Sequence, residues 1–141
     1  MSERRYRLVE SHYKRLPGDW SNCVYCGDIA DTADHVPPMK RVWAHGVDYY
    51  TEQGFDIVKA PCCRECNSVL CDRDLPTIEE RAIHMYAAIQ KRYKSILSCP
   101  EWDTDELDEL DYSLRAHIED QACLRLWVER RLQFIESVYQ V

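Results

Sequence analysis

No stretch of this chain comes near the ~20 consecutive apolar residues that a membrane-spanning helix needs. The opening MSERRYRLVESHYKRL is charged and lacks the apolar stretch of a secretory signal. A cytoplasmic setting with no membrane partner is expected. Positive charge is also short: 18 Lys and Arg stand against 25 Asp and Glu, a formal net charge of −7. A non-specific nucleic-acid coat needs the opposite balance, because phosphate contacts come from Lys and Arg. The deficit is uneven. Residues 1–70 are close to neutral, and the excess acid sits mostly in EWDTDELDELD at 101–111. An acidic whole still leaves room for a local basic face. Internal repeats are absent, and so is any low-complexity segment beyond that acidic run.

What is present is enough for one domain with a helical appendage: 141 residues, 45% of them hydrophobic. Leu8, Val9, His12, Tyr13 and Leu16 recur at helical spacing and predict a helix over 3–16, stopped by Pro17-Gly18-Asp19. Residues 20–36 read as a tight knuckle followed by a short strand. Residues 37–55 are punctuated by Pro and Gly and read as loop, with VDYYT as a short extended piece. FDIVKA at 55–60 predicts a second strand. Asn67 is expected to open a brief helix ending near Asp72. Thr77 with Glu80 forms a capping box for a helix to about Leu97, broken by Ser98-Cys99-Pro100. Asp103 or Thr104 caps a last helical region with a bend near 119–121. The chain therefore divides into an N-terminal helix (1–19), a central unit (20–76) and a C-terminal helical region packed on it (77–141).

Eight cysteines occur, and four fall in two C-x-x-C units, Cys23/Cys26 and Cys63/Cys66. In a reducing compartment such pairs point to metal rather than disulfides. A two-residue spacer lets one knuckle present two sulfurs to one ion, and four thiolates make a tetrahedral zinc site. Such a site has no open position, so this zinc is assigned to folding. Cys62 is a possible alternative to Cys63, but only Cys63 keeps the two-residue spacing.

Between the pairs lies ADTADHVPP, with Asp34 and His35 adjacent. Phosphodiester hydrolysis needs an activated water and a cation on the scissile phosphate. A histidine of ordinary, near-neutral pKa can take the water's proton. A carboxylate suits Mg²⁺, a hard ion that prefers oxygen. Strand neighbours point to opposite faces, so the two residues serve one site only if the strand ends or bends there. Pro37-Pro38 supplies such an ending.

The order C-x-x-C, Asp-His-Val-Pro-Pro, C-x-x-C-Asn over residues 20–75 resembles the HNH endonuclease family with its ββα-metal fold, especially small phage and bacterial members braced by a four-cysteine zinc. The resemblance implies an α+β, mostly helical protein with a zinc-braced ββα-metal core. It implies a metal-dependent DNA endonuclease leaving 3′-hydroxyl and 5′-phosphate ends. His35 would be the general base. Asp34 and Asn67 would hold the catalytic Mg²⁺ or Mn²⁺, and Cys23, Cys26, Cys63 and Cys66 the structural Zn²⁺. The family's middle Asn, which holds the loop that orients the base, is missing from FDIVKAP. Asp56 is the nearest polar candidate.

Arg41, Arg64 and Arg73 flank the motif in sequence and are candidate phosphate contacts; Lys40 and Lys59 lie close by. His45 sits in the inter-strand segment as a possible substrate contact, whereas His12, His84 and His117 read as ordinary helix-surface residues. The acidic 101–111 run reads as a solvated helix start, with a docking surface for a basic partner or DNA mimicry as its functional readings. The apolar late helices, with Leu124, Leu126 and Trp127, are expected to pack on the core or form a homodimer face. The contrasting expectation is a nuclease relative whose chemistry has decayed and which binds protein through that region.

Overall fold

The computed structural model describes all 141 residues. Helix α1 spans Glu3–Glu10, with Ser2 as its N-cap. It stops well short of 16. Lys14 and Leu16 hydrogen-bond through their backbone N–H groups to the carbonyls of Ile57 and Lys59. Lys14–Arg15 thereby form a two-residue strand, β1. Pairing to a sheet edge satisfies these groups as a longer helix would, and it seats Tyr13 in the interior at 7% exposure.

The two predicted strands exist. β2 spans Thr32–Val36, and β3 spans Val58–Cys62, displaced toward the second cysteine pair. They are antiparallel, with His35 opposite Lys59 and Asp34 opposite Ala60. β1 adds in parallel, giving the order β1-β3-β2. The segment between β2 and β3 is not loop. It holds α2 (Met39–His45) and α3 (Val47–Thr51), so VDYYT is helical rather than extended. Val42 and Tyr50 from these helices join Val9, Tyr13 and Ile57 in a small core, and this burial outweighs the local Pro and Gly signals. Gly46, at φ 87°, makes the turn between the two helices.

Helix α4 (Arg64–Leu70) follows β3 directly, capped by Cys63, whose sulfur accepts from the Cys66 N–H. Asn67 therefore lies in mid-helix rather than at the start. Helix α5 (Ile78–Arg92) begins at Thr77 as its capping sequence requires, and α6 (Lys94–Leu97) continues it after a break at Tyr93. The short α7 (Thr104–Asp108) carries a full Asp103/Glu106 capping box. Asp111 then caps α8, an unbroken run over Tyr112–Tyr139. The expected bend at 119–121 is absent; the break falls earlier, at Glu109–Asp111.

The larger core joins the four knuckle cysteines to Leu70, Ala82, Met85, Ile89, Val128, Leu132 and Ile135. The two C-x-x-C units, α5 and the second half of α8 thus share one interior. Along α8, Leu114, Leu124 and Leu126 stay exposed. The architecture is α+β and mostly helical. No helix is long and apolar enough to cross a membrane.

Candidate functional site

Cys23, Cys26, Cys63 and Cys66 come together in the interior, their sulfurs all within 4.8 Å of one another. Cys26 and Cys63 approach to 3.7 Å. Zinc–sulfur bonds of about 2.3 Å place tetrahedral sulfurs roughly 3.8 Å apart. The quartet can hold one metal ion such as zinc. Hydrogen bonding from Cys26, and then from Cys62, lowers the pKa of the Cys23 thiol. Cys62 behaves oppositely. Hydrogen bonding with Cys23 and burial both push it up, and its thiol donates to the Cys63 carbonyl. The sulfur that joins Cys23, Cys26 and Cys66 in the quartet is that of Cys63.

Arg131 of α8 lies against this cluster at 2% exposure. Its Nη2 is 3.8 Å from the Cys66 sulfur and its Nη1 bonds Glu65 at 2.9 Å. The Trp127 ring covers its guanidinium at 4.5 Å. Four thiolates around a divalent ion carry excess negative charge, and Arg131 supplies a buried opposite charge. Burial works against its own charge, but the neighbouring Cys26 and Glu65 outweigh that and raise its pKa.

Strand β2 carries the Asp-His pair, and it runs straight through both residues to Val36. The Pro37-Pro38 break comes too late to bring them together. Asp34 points inward at 3% exposure. Its Oδ2 accepts from Arg81 Nε at 2.8 Å and from the Tyr25 hydroxyl at 2.5 Å. Its Oδ1 accepts from Arg81 Nη2 at 3.0 Å. Arg81 is wholly buried. Its remaining N–H groups reach the carbonyls of Cys71, Arg73 and Leu75, just past α4. Burial disfavours the Arg81 charge, yet Asp34 more than offsets this and holds the guanidinium's pKa above its usual value. A hard divalent ion needs a free carboxylate, and Asp34 has none to offer. The expectation that Asp34 holds a catalytic Mg²⁺ or Mn²⁺ is therefore corrected: the residues present do not fit an ion there.

His35 faces the other side of the sheet, its side chain about one-fifth exposed. Its Nε2 bonds Glu10 Oε2. Glu10 Oε1 accepts from Lys59 at 2.7 Å. Tyr13 and Tyr6 pack edge-on against the imidazole, with centroids at 4.9 and 6.4 Å. A carboxylate only accepts, so Nε2 carries the proton, and Nδ1 of a neutral ring is the acceptor. Nδ1 makes no hydrogen bond within the chain. Asp56 is exposed and takes no part; the group that orients His35 is Glu10.

The other candidates are placed as follows. Asn67 is half-buried on α4, its side chain without a hydrogen bond inside the chain. Arg41 and Arg73 meet in one cleft, but Asp72 and Asp74 line it with them. Arg41 bonds the Asp72 carbonyl, and Arg64 is an exposed residue near Asp31. These arginines do not form an unbalanced positive patch. Helix α1 and β1 carry Arg4, Arg5, Lys14 and Arg15, whereas Arg7 pairs with Glu3 and Lys40 with Asp72. Arg5 lies over the Trp43 ring at 5.1 Å and ties α1 to α2.

Sequence reasoning missed Glu10, Tyr25, Arg81 and Arg131. For the two arginines a signal exists: each sits on the apolar stripe of its helix, Arg81 beside Ala82 and Met85, Arg131 beside Val128, Leu132 and Ile135. A charge on a buried stripe has a partner elsewhere. Glu10 has no such signal, because only the sheet brings it to His35. No family model, curated protein or solved structure matches this chain.

Proposed function

We propose that this chain is a zinc-braced endonuclease of the HNH kind that cuts DNA, with His35 activating water. The observation that carries the reading is the His35–Glu10 contact. It lies on the motif strand of an antiparallel pair that leads directly into α4. The carboxylate fixes the ring and its tautomer, and the other nitrogen is left as a base. Lys59, opposite His35 in the sheet, and Arg4 and Arg5 of α1 would supply positive charge for a phosphate backbone. Water deprotonated at Nδ1 attacks phosphorus and one ester bond breaks. Zinc on the four cysteines would hold the two knuckles together and take no part in the chemistry.

One observation favours a second reading, a relative that binds without cutting. Asp34, the expected cation ligand, is neutralised by Arg81. A cleft of about 400 Å³ by the acidic segment, lined by Pro100, Trp102, Leu107, Ile118 and Leu126, then becomes the docking surface.

Plasmid cleavage separates the two. Wild type and His35→Ala, matched for zinc content, are compared with and without added Mg²⁺ or Mn²⁺. The nuclease reading expects nicking that falls by about 10²–10⁴ in His35→Ala, the usual contribution of a general base. Equal activity in the two proteins would remove His35 from the mechanism. No cleavage of plasmid, branched or single-stranded DNA by zinc-loaded protein would leave the binding reading.

A further inference from the structure

We infer that Arg81 is the resident cation of the motif: the Asp34 carboxylate is a permanent guanidinium site and takes no divalent metal in the working protein. The inference does not depend on whether the chain cuts DNA.

A fork of two parallel N–H groups meets both carboxylate oxygens, at 2.8 and 3.0 Å, which is the geometry guanidinium shares with carboxylates. Both partners are sealed from water. The Tyr25 hydroxyl donates to Oδ2 at 2.5 Å and fills its remaining acceptor position. Arg81's other hydrogens close on the carbonyls of Cys71, Arg73 and Leu75, just past the end of α4. One side chain thus pins four elements: the β2 strand, the first cysteine knuckle through Tyr25, the end of α4, and α5.

An incoming Mg²⁺ would have to strip this carboxylate and strand a buried guanidinium without a counter-charge. It would also have to shed strongly held waters to enter. Neither loss is returned by one carboxylate. Asp34 and Arg81 are therefore positioning residues. They hold β2 so that strand alternation turns His35 to the α1 side.

The test reads the Arg81 Nε–H signal in ¹⁵N-labelled, zinc-loaded full-length protein, assigned by its loss in Arg81→Lys. We expect a signal displaced from that of free arginine and slow to exchange, unchanged in position and exchange rate when Mg²⁺ is added in large excess. Collapse of the signal to the free-arginine position, or fast exchange on adding Mg²⁺, means the ion has taken the carboxylate and overturns the inference. A signal already at the free position without Mg²⁺ overturns it as well. Because the readout is the ion pair itself, a protein inactive on DNA tests it equally well.

Discussion

Glu10 accepts from two partners at once, the His35 ring on one oxygen and the Lys59 ammonium on the other. Burial alone would raise its pKa. The Lys59 hydrogen bond, followed by the His35 charge and hydrogen bond, outweighs burial and holds it below the ordinary 4.5. A carboxylate depressed in the folded state releases its proton more readily there than in the unfolded chain. Its stabilising contribution is thus complete above pH 4.5 and is lost as pH falls through the lowered folded value. Amide exchange in α1 is expected to speed up selectively in that acid range, while the α5–α8 interior stays protected. In Glu10→Gln the acid dependence of α1 is expected to vanish, leaving uniformly faster exchange there. A wild-type α1 insensitive to acid would mean that Glu10 does not hold it. At this scale the sequence shows the chemistry better than its direction. The cysteine quartet is legible because spacing alone defines it. Asp34 and His35 are legible as reactive types, but their separation onto two faces depends on where β2 ends, and Val36 extends it past the pair.

Elements that announce themselves locally are the ones the sequence reveals. Thr77 and Asp103 start helices because their side chains meet backbone N–H groups three residues on. Elements fixed by distant partners are hidden: β1 is a strand only because β3 lies beside it, and α2 and α3 are helical because Tyr13, Val42, Tyr50 and Ile57 bury one another. Helix α8 shows how strongly the knuckle depends on another element. Trp127 donates to Asp28 at 3.1 Å, and the Tyr139 hydroxyl donates to the Val24 carbonyl. Phe134 lies so close to Gly27 that an added Cβ would sit 2.7 Å from its ring. Gly27 also has φ 76°, which side-chain-bearing residues rarely adopt. Gly27→Ala meets both obstacles and is expected to lower stability by about 1–3 kcal/mol, from the backbone alone. Adding Phe134→Leu should recover only the part owed to the ring. Denaturant unfolding of the two variants measures each part. A Gly27→Ala protein as stable as wild type would show that α8 does not press on the knuckle.

The whole molecule is polarised. Residues 1–70 are nearly neutral, and most of the net charge of −7 lies in the C-terminal half. The halves are nevertheless not independent, because the cysteine quartet and the second half of α8 share one core. The C-terminal helical region packs on the central unit: Arg81 reaches back to Asp34, and Arg131 to Glu65 and Cys66. Losing metal would therefore do more than loosen two knuckles. Four thiolates would re-protonate or repel one another, and Arg131 would keep only Glu65 as a counter-charge. Chelation of the zinc-loaded protein is expected to abolish a single cooperative thermal transition and to remove helical circular dichroism far in excess of what the seven-residue α4 contributes. The same treatment of Arg131→Met, which keeps the packing volume without the charge, should cost less, because no buried cation is left unpaired. Retention of nearly all helicity after complete zinc removal would show that α5 and α8 fold without the metal. The quartet would then be a local clip rather than the centre of the fold.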